Sequence, residues 1–440
     1  MDHASRRRRL HAIDKRVSET ESAPRRRQPW WIPPIFGRAP DLEPRQFSML
    51  GFVSLALLFE NYDFSLLTAA LPFIAESLEI SEAELGGFTG LIRLGALPAF
   101  LVVPFADRMG RRRVFLVSVL ALSVGTFLTG LTQTATQFVV VQVFTRTFML
   151  TAATVAFVIV SEELPAAHRG WGIGMLGALA SLGHGVSAGL FAAVESLPFG
   201  WRALYVFGFL PVFFLPQFWR GVPETRRFAS QNEAPTGGYL EPLRLLVRRF
   251  PGRAAGIAGL GLFAAASMGS VYQFTAQFLL VHRGWEPGEY SLLVLTAGLL
   301  GMFGNILAGR LGDVLGRRAV GVLFLAVFPA LAWAFFHTEG FLVPLSWSIM
   351  VLSLTGATTI SRAFATELFP TAYRGTSTGA LTLTETLGAA AGLGLATVGM
   401  RAGLSLTTVL TLVSLLAPVA ALVVWTFPET RGRELESISE

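Results

Sequence analysis

The sequence contains no cysteine, and only 15% of its 440 residues are charged. The absence of cysteine excludes disulfides and thiolate metal sites. A soluble globular protein carries roughly a quarter charged residues, so the low charge excludes an ordinary soluble fold. With 52% hydrophobic residues and a mean hydropathy of +0.56, the chain is predicted to lie in a membrane.

The chain has a single lysine, Lys15. The formal net charge of +6 therefore comes from arginine. A basic chain can bind nucleic acid. Here, however, arginine clusters flank long apolar runs, which is the pattern of the positive-inside rule, and we expect no nucleic-acid partner. Residues 1–46 lack the apolar core of a signal peptide and are predicted to form a basic, disordered, cytoplasmic N-terminal arm. Anchoring of the first helix and binding of anionic lipid are alternative roles for this arm.

From Phe47 the sequence is divided into apolar runs whose length, roughly 18 to 25 residues, suits a helix that crosses a bilayer. Twelve such runs predict an all-α membrane protein with twelve transmembrane helices, at 47–71, 85–105, 113–132, 137–160, 171–193, 200–219, 255–280, 290–311, 319–336, 341–365, 376–398 and 404–426. The arginine clusters fall in the even-to-odd connections, which places both termini in the cytoplasm.

One long connection, 220–254, divides the chain into two halves. It separates an N-terminal six-helix bundle at 47–219 from a C-terminal six-helix bundle at 255–427, after which 428–440 forms a cytoplasmic tail. Within this linker, the interspersed leucine and arginine of Leu240 to Phe250 predict a helix on the membrane surface.

The two halves repeat one another. VPFADRMGRRR at 103–113 returns as GRLGDVLGRRA at 309–319, EELPAAHRG at 162–170 as TELFPTAYRG at 366–375, and PETRR at 223–227 as PETRG at 428–432. The conserved spacing is 206 residues from Asp107 to Asp313 and 205 residues from Pro223 to Pro428. Three motif pairs at nearly one period indicate two six-helix bundles that are pseudo-repeats of each other.

These motifs resemble those of the major facilitator superfamily, and within it those of the sugar-porter and metabolite:proton symporter branch. The loop DRMGRR after the second helix resembles the family's G-x-L-x-D-R-x-G-R-R signature, and PETRGRELE at 428–436 resembles a closing motif of that branch. The resemblance spans about 47–436 and implies a secondary active transporter that needs no cofactor and uses a proton as its coupling ion. The paired glutamines of sugar porters are missing from helix seven, which has Gln273 and Gln277 instead, and this argues against a hexose substrate.

The resemblance also implies a cytoplasmic gate. Asp107 would approach the positive N-terminal end of helix eleven, and Asp313 that of helix five, only while the cytoplasmic side is closed. The arginines determine topology, and they are also expected to pair with Asp107, Glu163 and Glu367. Val103 stands where the family signature has glycine, which predicts looser helix packing there than at Gly309. The predicted gate comprises Asp107, Arg108, Gly110, Arg111, Arg112, Glu163, Arg169, Asp313, Gly316, Arg317, Arg318, Glu367 and Arg374.

Ionisable residues inside the predicted helices mark a second site, because a charge in the membrane is costly and usually faces a cavity. Counted at 1.5 Å per residue from cytoplasmic landmarks, Asp63, Arg93, Arg146 and His184 lie at similar depths of roughly 21 to 25 Å. The predicted proton-coupling and substrate cluster is Glu60, Asp63, Arg93, Arg146, His184 and Glu385. Weaker cavity candidates, for which core packing is the alternative, are Tyr272, Gln273, Asn305 and Trp347. Arg362 is expected to extend to the cytoplasmic edge.

Asp63 and Arg146 match the Asp–Arg pair that sugar porters place on helices one and four. Protonation of the acid would release the arginine and so act as a proton switch, whereas a fixed packing pair is the alternative, and Glu60 is a second candidate for the titrating acid. Arg93 is either a counter-charge for Glu60 or a fork for a substrate carboxylate, phosphate or sulfonate. His184 is either a satisfied polar residue or a proton carrier.

We therefore predict a proton-coupled transporter of a small polar metabolite, with an organic anion favoured, acting as a monomer in a bacterial inner membrane. Efflux of amphipathic or cationic compounds is an alternative that uses Glu60, Asp63 and Glu385 as anionic groups. A membrane sensor or scaffold that does not transport is an alternative of another class. The sequence shows no phosphate-cradling loop, metal-ligand spacing or catalytic triad, so we predict that it is not an enzyme and has no metal site.

Overall fold

The structure is a computed structural model that describes residues 29, 31–32, 39–165, 168–225, 241–370 and 373–431. Most of the predicted arm and tail therefore lies outside the described residues. Within them, twelve helices are long and apolar enough to cross a membrane: α1 Pro44–Ala69, α2 Glu82–Met109, α3 Arg111–Gly130, α4 Ala135–Glu163, α5 Arg169–Phe191, α6 Trp201–Gly221, α7 Pro251–Gln273, α8 Pro287–Leu315, α9 Arg317–His337, α10 Leu342–Glu367, α11 Arg374–Arg401 and α12 Leu406–Trp425. The predicted fold class is confirmed.

Local sequence explains where several of these helices begin. Glu43 and Gln46 form a reciprocal capping box at the start of α1, where Pro44 occupies the first turn. Ser81 and Glu84 form the same box at the start of α2. Such boxes satisfy amide groups that have no partner inside the helix, and proline is tolerated in the first turn because its missing N–H would be unpaired there. The interiors are apolar, and their backbone hydrogen bonds are internal, as a bilayer requires.

Two of the helices are irregular near the centre of the molecule. The regular part of α2 ends at Leu94, and a turn over Gly95 to Pro98 follows, since proline cannot donate the next helical hydrogen bond. A Cβ atom on Gly95 would lie 2.6 Å from Cα of Val143, and the Gly95 carbonyl accepts a hydrogen bond from Thr147 at 2.7 Å. The turn therefore packs directly on α4. The second irregular helix is α7, which is π-helical over Ala265–Gly269.

A short helix at Leu71–Ser77 connects α1 to α2, and a linker helix at Glu241–Arg249 precedes α7. Leu246 of the linker helix is buried. Phe250, the residue directly after this helix, packs its ring edge-on against Phe369 and Tyr373, at centroid distances of 5.9 and 5.6 Å. The linker helix therefore lies against the C-terminal half.

The halves meet on the side opposite the arginine-rich connections, which we call the far side. There α2 packs on α11 so closely that a Cβ atom on Gly86 would lie 2.3 Å from the Leu393 carbonyl oxygen, and the Gly87 amide donates to Thr397 Oγ1 at 2.5 Å. Polar contacts across the halves join Glu82 to His282 at 2.6 Å and Glu84 to Arg401 at 3.7 Å. The far side is closed.

The two halves share a core in one part of the molecule only. One continuous cluster of buried apolar residues joins Leu66 and Phe88 of the N-terminal half to Phe278 and Leu393 of the C-terminal half. The other side of the molecule, which we call the arginine-rich side, is arranged differently. The rest of the N-terminal core, around Phe115 on the arginine-rich side, forms a separate cluster. Among the described residues, the ion pairs on the arginine-rich side each lie within one half. The molecule is therefore open towards this side.

Candidate functional site

A cavity of about 400 Å³ lies between the two halves. Residues of α1, α2 and α4 line one wall, and residues of α7, α10 and α11 line the other. Five ionisable side chains face it: Glu60, Arg93, Arg146, Arg362 and Glu385. Three arginines against two glutamates give this cavity a formal excess of one positive charge.

Phe64 of α1 is the centre of the N-terminal wall. The guanidinium carbon of Arg146 lies 4.7 Å from the centroid of its ring, and that of Arg93 lies 5.0 Å away. Cations are attracted to aromatic faces at such distances. The His184 ring is also near, at 6.3 Å between centroids. The structure thus brings α1, α2, α4 and α5 together around a residue that the sequence analysis did not select, although Phe64 directly follows Asp63.

Arg93 is held by the other half of the molecule. Its Nη2 donates to Oε1 of Gln273 on α7 at 3.0 Å, and Gln273 is only 1% exposed. Tyr272 stacks on Trp347 at 5.7 Å between ring centroids, and Trp347 is buried. Of the weaker cavity candidates, Gln273 therefore positions Arg93, while Tyr272 and Trp347 pack against each other next to Gln273.

Asp63 lies behind the cavity wall and is fully buried. Its Oδ1 is 3.1 Å from the Thr126 hydroxyl of α3, and its Oδ2 has no hydrogen-bond partner among the described residues. The expected direct pair with Arg146 is absent from the described residues in this conformation, in which Arg146 instead donates to the Met149 sulfur at 3.6 Å. Glu60, which accepts from Asn61 at 2.8 Å, faces the cavity in place of Asp63.

Other predicted positions also differ from the structure. His184 is near Phe64 but does not line the cavity. Asn305 is exposed on α8 and accepts a hydrogen bond from Thr359 at 2.7 Å, away from the cavity. Arg362, expected at the membrane edge, lines the cavity with Glu385 because the cavity extends towards the arginine-rich side.

The signature loop after α2 binds the end of α4. Arg111 pairs with Asp107 at 2.9 Å and with Glu162 at 3.3 Å, and its side chain is 5% exposed. Glu163, the acid expected from the sequence, is the next residue, and its carbonyl accepts a hydrogen bond from Gln46 at 2.9 Å. In the C-terminal half, Arg317 pairs with Asp313 at 3.5 Å and with Glu367 at 2.9 Å. Glu162 lies 205 residues before Glu367, so the repeat spacing itself was a signal for Glu162.

The PET motifs complete these networks, a role that the sequence analysis did not assign. Glu429 accepts hydrogen bonds from the amides of Arg317 and Arg318, at 2.9 and 3.1 Å, at the start of α9. Glu224 accepts one from the Arg112 amide at 3.2 Å at the start of α3. A carboxylate stabilises this positive end of a helix.

The remaining gate residues occupy matching places in the two halves. Gly110 and Gly316 have φ values of 97° and 102°, which glycine adopts without strain, and they join α2 to α3 and α8 to α9. The guanidinium groups of Arg112 and Arg318 lie over Trp219 and Trp425 at 4.7 and 4.8 Å. Arg169 and Arg374 begin α5 and α11, and Arg108 is exposed in the last turn of α2.

Asp107 and Asp313 are 51% and 71% exposed and pair only within their own loops among the described residues. Their contacts with α11 and α5, which were expected only while this side is closed, are absent from the described residues. A Cβ atom on Gly309 would meet no heavy atom within 4 Å, so the tight packing expected at Gly309 is also absent. Within the described ranges, no group of three or more His, Asp or Glu side chains could hold a metal ion.

Two pseudo-repeated bundles with a charged cavity between them, closed on one side, define a membrane transporter. The family model of the Major Facilitator Superfamily matches residues 53–393 and 257–439. The chain belongs to this superfamily, and it is a secondary transporter and not an enzyme.

Relatives and solved structures agree with this assignment. The chain is 25% identical to a gallate transporter of Pseudomonas putida over 90% of this chain and 94% of that protein. It is 26% identical to a cis,cis-muconate transport protein of Acinetobacter baylyi (77% and 84%) and 24% identical to a 3-(3-hydroxy-phenyl)propionate transporter of Escherichia coli (80% and 89%). Its fold is similar to that of the xylose transporter XylE of E. coli, with a TM-score of 0.70 at 16% identity over 89% of this chain and 99% of that chain.

Proposed function

We propose that this protein moves a small organic anion across the membrane by alternating access, together with protons. The observation that carries the proposal is the pair of arginines, Arg93 and Arg146, that meet at the Phe64 ring in the cavity between the halves. Guanidinium groups bind carboxylates through two parallel hydrogen bonds, and the excess positive charge of the cavity favours an anion.

A carboxylate is the favoured anionic group. The three relatives are named for gallate, muconate and 3-(3-hydroxyphenyl)propionate, each of which is a small conjugated or aromatic carboxylic acid. A cavity of about 400 Å³ lies at the lower end of the usual range for small-molecule pockets. The aromatic ring of Phe64, which lines the cavity beside the two arginines, also suits a flat substrate.

Asp63 is the proposed proton carrier, and its surroundings fit a neutral acid. The single hydroxyl proton of Thr126 can go to Asp63, at 3.1 Å, or to the Leu122 carbonyl, at 3.0 Å. If the proton goes to Leu122, the Asp63–Thr126 contact needs a proton on Asp63. A buried carboxylate without an ion pair is costly, whereas a neutral acid is much less so. We therefore propose that this conformation is the protonated state, in which Arg146 is released to the cavity.

The membrane orientation follows from the arginine-rich side, which we propose faces the cytoplasm. Both termini are then cytoplasmic, the conformation is inward-facing, and a bacterial inner membrane is the expected location. Closure of the cytoplasmic side would bring Asp107 to the start of α11 and Asp313 to the start of α5. A monomer suffices, because one chain supplies both cavity walls, and the proton is the only further component that the cycle requires.

The experiment is transport by the purified protein in proteoliposomes with an imposed pH gradient. Gallate, cis,cis-muconate and 3-(3-hydroxyphenyl)propionate are supplied as substrates, and internal pH is followed with a trapped dye. We expect pH-driven accumulation of an acid by the wild type. In Asp63→Asn we expect substrate exchange without proton movement, because the asparagine cannot carry a proton. Glu60→Gln serves as the comparison at the neighbouring acid.

The outcomes separate the alternatives. Normal proton coupling in Asp63→Asn, with its loss in Glu60→Gln, would assign the proton to Glu60 instead. Flux of cationic compounds against the pH gradient, with none of acids, would show efflux, which the excess of cavity arginines argues against. No flux of any compound in either direction would leave the sensor or scaffold as the explanation.

A further inference from the structure

The second wall of the cavity, formed by α10 and α11, presents hydroxyl groups. Thr358 and Ser361 of α10 and Thr382 and Thr386 of α11 line it beside Glu385. Each hydroxyl donates to the carbonyl four residues earlier in its own helix, namely Leu354, Ala357, Thr378 and Thr382, at 2.8, 2.8, 3.1 and 2.9 Å.

These bonds determine what the wall can offer to a ligand. A hydroxyl has one proton and two lone pairs, so a hydroxyl that already donates can only accept from the cavity. When ionised, the carboxylate of Glu385 is also only an acceptor. Among the described side chains of α10 and α11 that line the cavity, Arg362 alone has hydrogen-bond donors that are free to bind a ligand. We call Thr358, Ser361, Thr382, Glu385 and Thr386 the acceptor wall.

The opposite wall presents two guanidinium groups, those of Arg93 and Arg146, which are pure donors, beside the carboxylate of Glu60. The side chains of α7 that complete the cavity are apolar: Ala264, Ala265 and Met268. The cavity is therefore polarised, with two of its three arginines on the N-terminal half and its four hydroxyl acceptors on the C-terminal half. A ligand that spans it satisfies both walls only if an anionic group lies at one end and a hydrogen-bond donor at the other.

We propose that the acceptor wall, with Glu385 at its centre, selects substrates that carry a hydroxyl or N–H group at the end remote from their carboxylate. The inference rests on the proposed function, since Arg93 and Arg146 must first hold the carboxylate. It assigns Glu385, Thr382 and Thr386 as specificity-determining residues. A second carboxylate at that end would meet Arg362 but would also face the carboxyl group of Glu385, which repels it when ionised.

The test is equilibrium binding of three matched acids to the purified full-length protein in nanodiscs, measured by calorimetry. The acids are 3-(3-hydroxyphenyl)propionate, its 3-methoxyphenyl analogue and 3-phenylpropionate. The methoxy compound keeps the oxygen but has no proton to donate. Because hydrogen bonds to charged acceptors are among the stronger ones, we expect the hydroxy acid to bind roughly tenfold or more tightly than either analogue.

Variants locate the discrimination. Glu385→Gln introduces an amide N–H that can donate to the methoxy oxygen, so the ratio of the hydroxy to the methoxy affinity should fall at least roughly threefold. Thr382→Val should lower the same ratio without changing any charge. Thr384→Val is the matched control, because Thr384 makes the same kind of bonds within α11, to Ala380 and Leu381, but does not line the cavity. The control should keep the wild-type ratio.

Three results would overturn the inference. Equal affinities of the wild type for the three acids would show that the acceptor wall does not distinguish a ligand that has a hydrogen-bond donor from one that lacks it. A ratio that stays at the wild-type value in both Glu385→Gln and Thr382→Val would place the discrimination elsewhere. Tighter binding of cis,cis-muconate than of the hydroxy acid would assign the wall to a second carboxylate held by Arg362. If the wild type binds none of these acids, the proposed function itself fails.

Discussion

The contact between Gly86 and Leu393 makes a sharp prediction about the conformational equilibrium. In the structure, a Cβ atom on Gly86 would lie 2.3 Å from the Leu393 carbonyl oxygen and 2.6 Å from Thr397 Oγ1. Real Cβ atoms do not approach heavy atoms this closely, so α2 and α11 would have to move apart by roughly 1 Å, and such overpacking costs about 1–3 kcal/mol. The contact exists only while the far side is closed. Gly86→Ala should therefore shift the equilibrium towards the far-side-open state by roughly 5- to 150-fold.

The adjacent residue provides the control. A Cβ atom on Gly87 would lie 3.6 Å from Thr397 Oγ1, an ordinary contact. Both substitutions gain the same helical propensity, by about 1 kcal/mol, in either state. Gly87→Ala should therefore leave the equilibrium unchanged.

The assay uses the absence of cysteine from the chain. Thr358→Cys places a single thiol in the cavity, and a membrane-impermeant maleimide labels it from one side at a time, in right-side-out and in inverted vesicles. In Gly86→Ala, labelling from the arginine-rich side should slow and labelling from the far side should accelerate. Equal labelling ratios in Gly86→Ala and Gly87→Ala would refute the steric argument.

Two further predictions concern residues that position others. Glu429→Ala removes the acceptor for two amides at the start of α9 and should destabilise the protein by about 1–2 kcal/mol, measured as a lower thermal unfolding midpoint. Glu224→Ala, which removes the acceptor for one amide of α3, should lower the midpoint less, and the reverse order would contradict the capping role. Gln273→Leu frees Arg93 and should weaken carboxylate uptake roughly tenfold through KM, since a hydrogen bond to a charged group is lost. Gln273→Glu, which holds Arg93 but cancels the excess positive charge of the cavity, should not restore it, and an unchanged KM in Gln273→Leu would contradict the positioning role.

The sequence predicted the architecture because hydrophobic length and arginine placement are properties of the chain alone. The twelve spans depend only on how many apolar residues cross a bilayer, and the two halves depend only on a repeat that can be counted. The depth of Arg93 and Arg146 could be estimated in the same way, since the rise of a helix is fixed. Both residues do line one cavity.

The orientation of side chains around each helix could not be predicted in this way. Depth counting placed Asp63 in the cluster. The orientation of α1 about its own axis, which depth counting does not give, turns Glu60 towards the cavity and Asp63 towards Thr126. The turn after Arg93 and the π-helical segment of α7 also break the regular geometry on which such counting relies. The Asp63–Arg146 pair and the expected contacts of Asp107 and Asp313 are absent from the described residues in this conformation, and a sequence does not specify which conformation a transporter adopts.

The closure of the far side by Gly86 and Leu393 has a consequence for speed. Where helix backbones meet directly, closing immobilises few side-chain torsions, whereas each long side chain ordered in a gate costs up to about 1.5–2 kcal/mol of conformational entropy. The charged contacts around this closure, such as that of Glu84 with Arg401, are solvent-exposed and contribute little. Separation of α2 from α11 at this contact therefore releases few ordered side chains and breaks no strong ion pair. A gate made of backbone can open and close with a low barrier, which suits a carrier whose turnover depends on how often it changes sides.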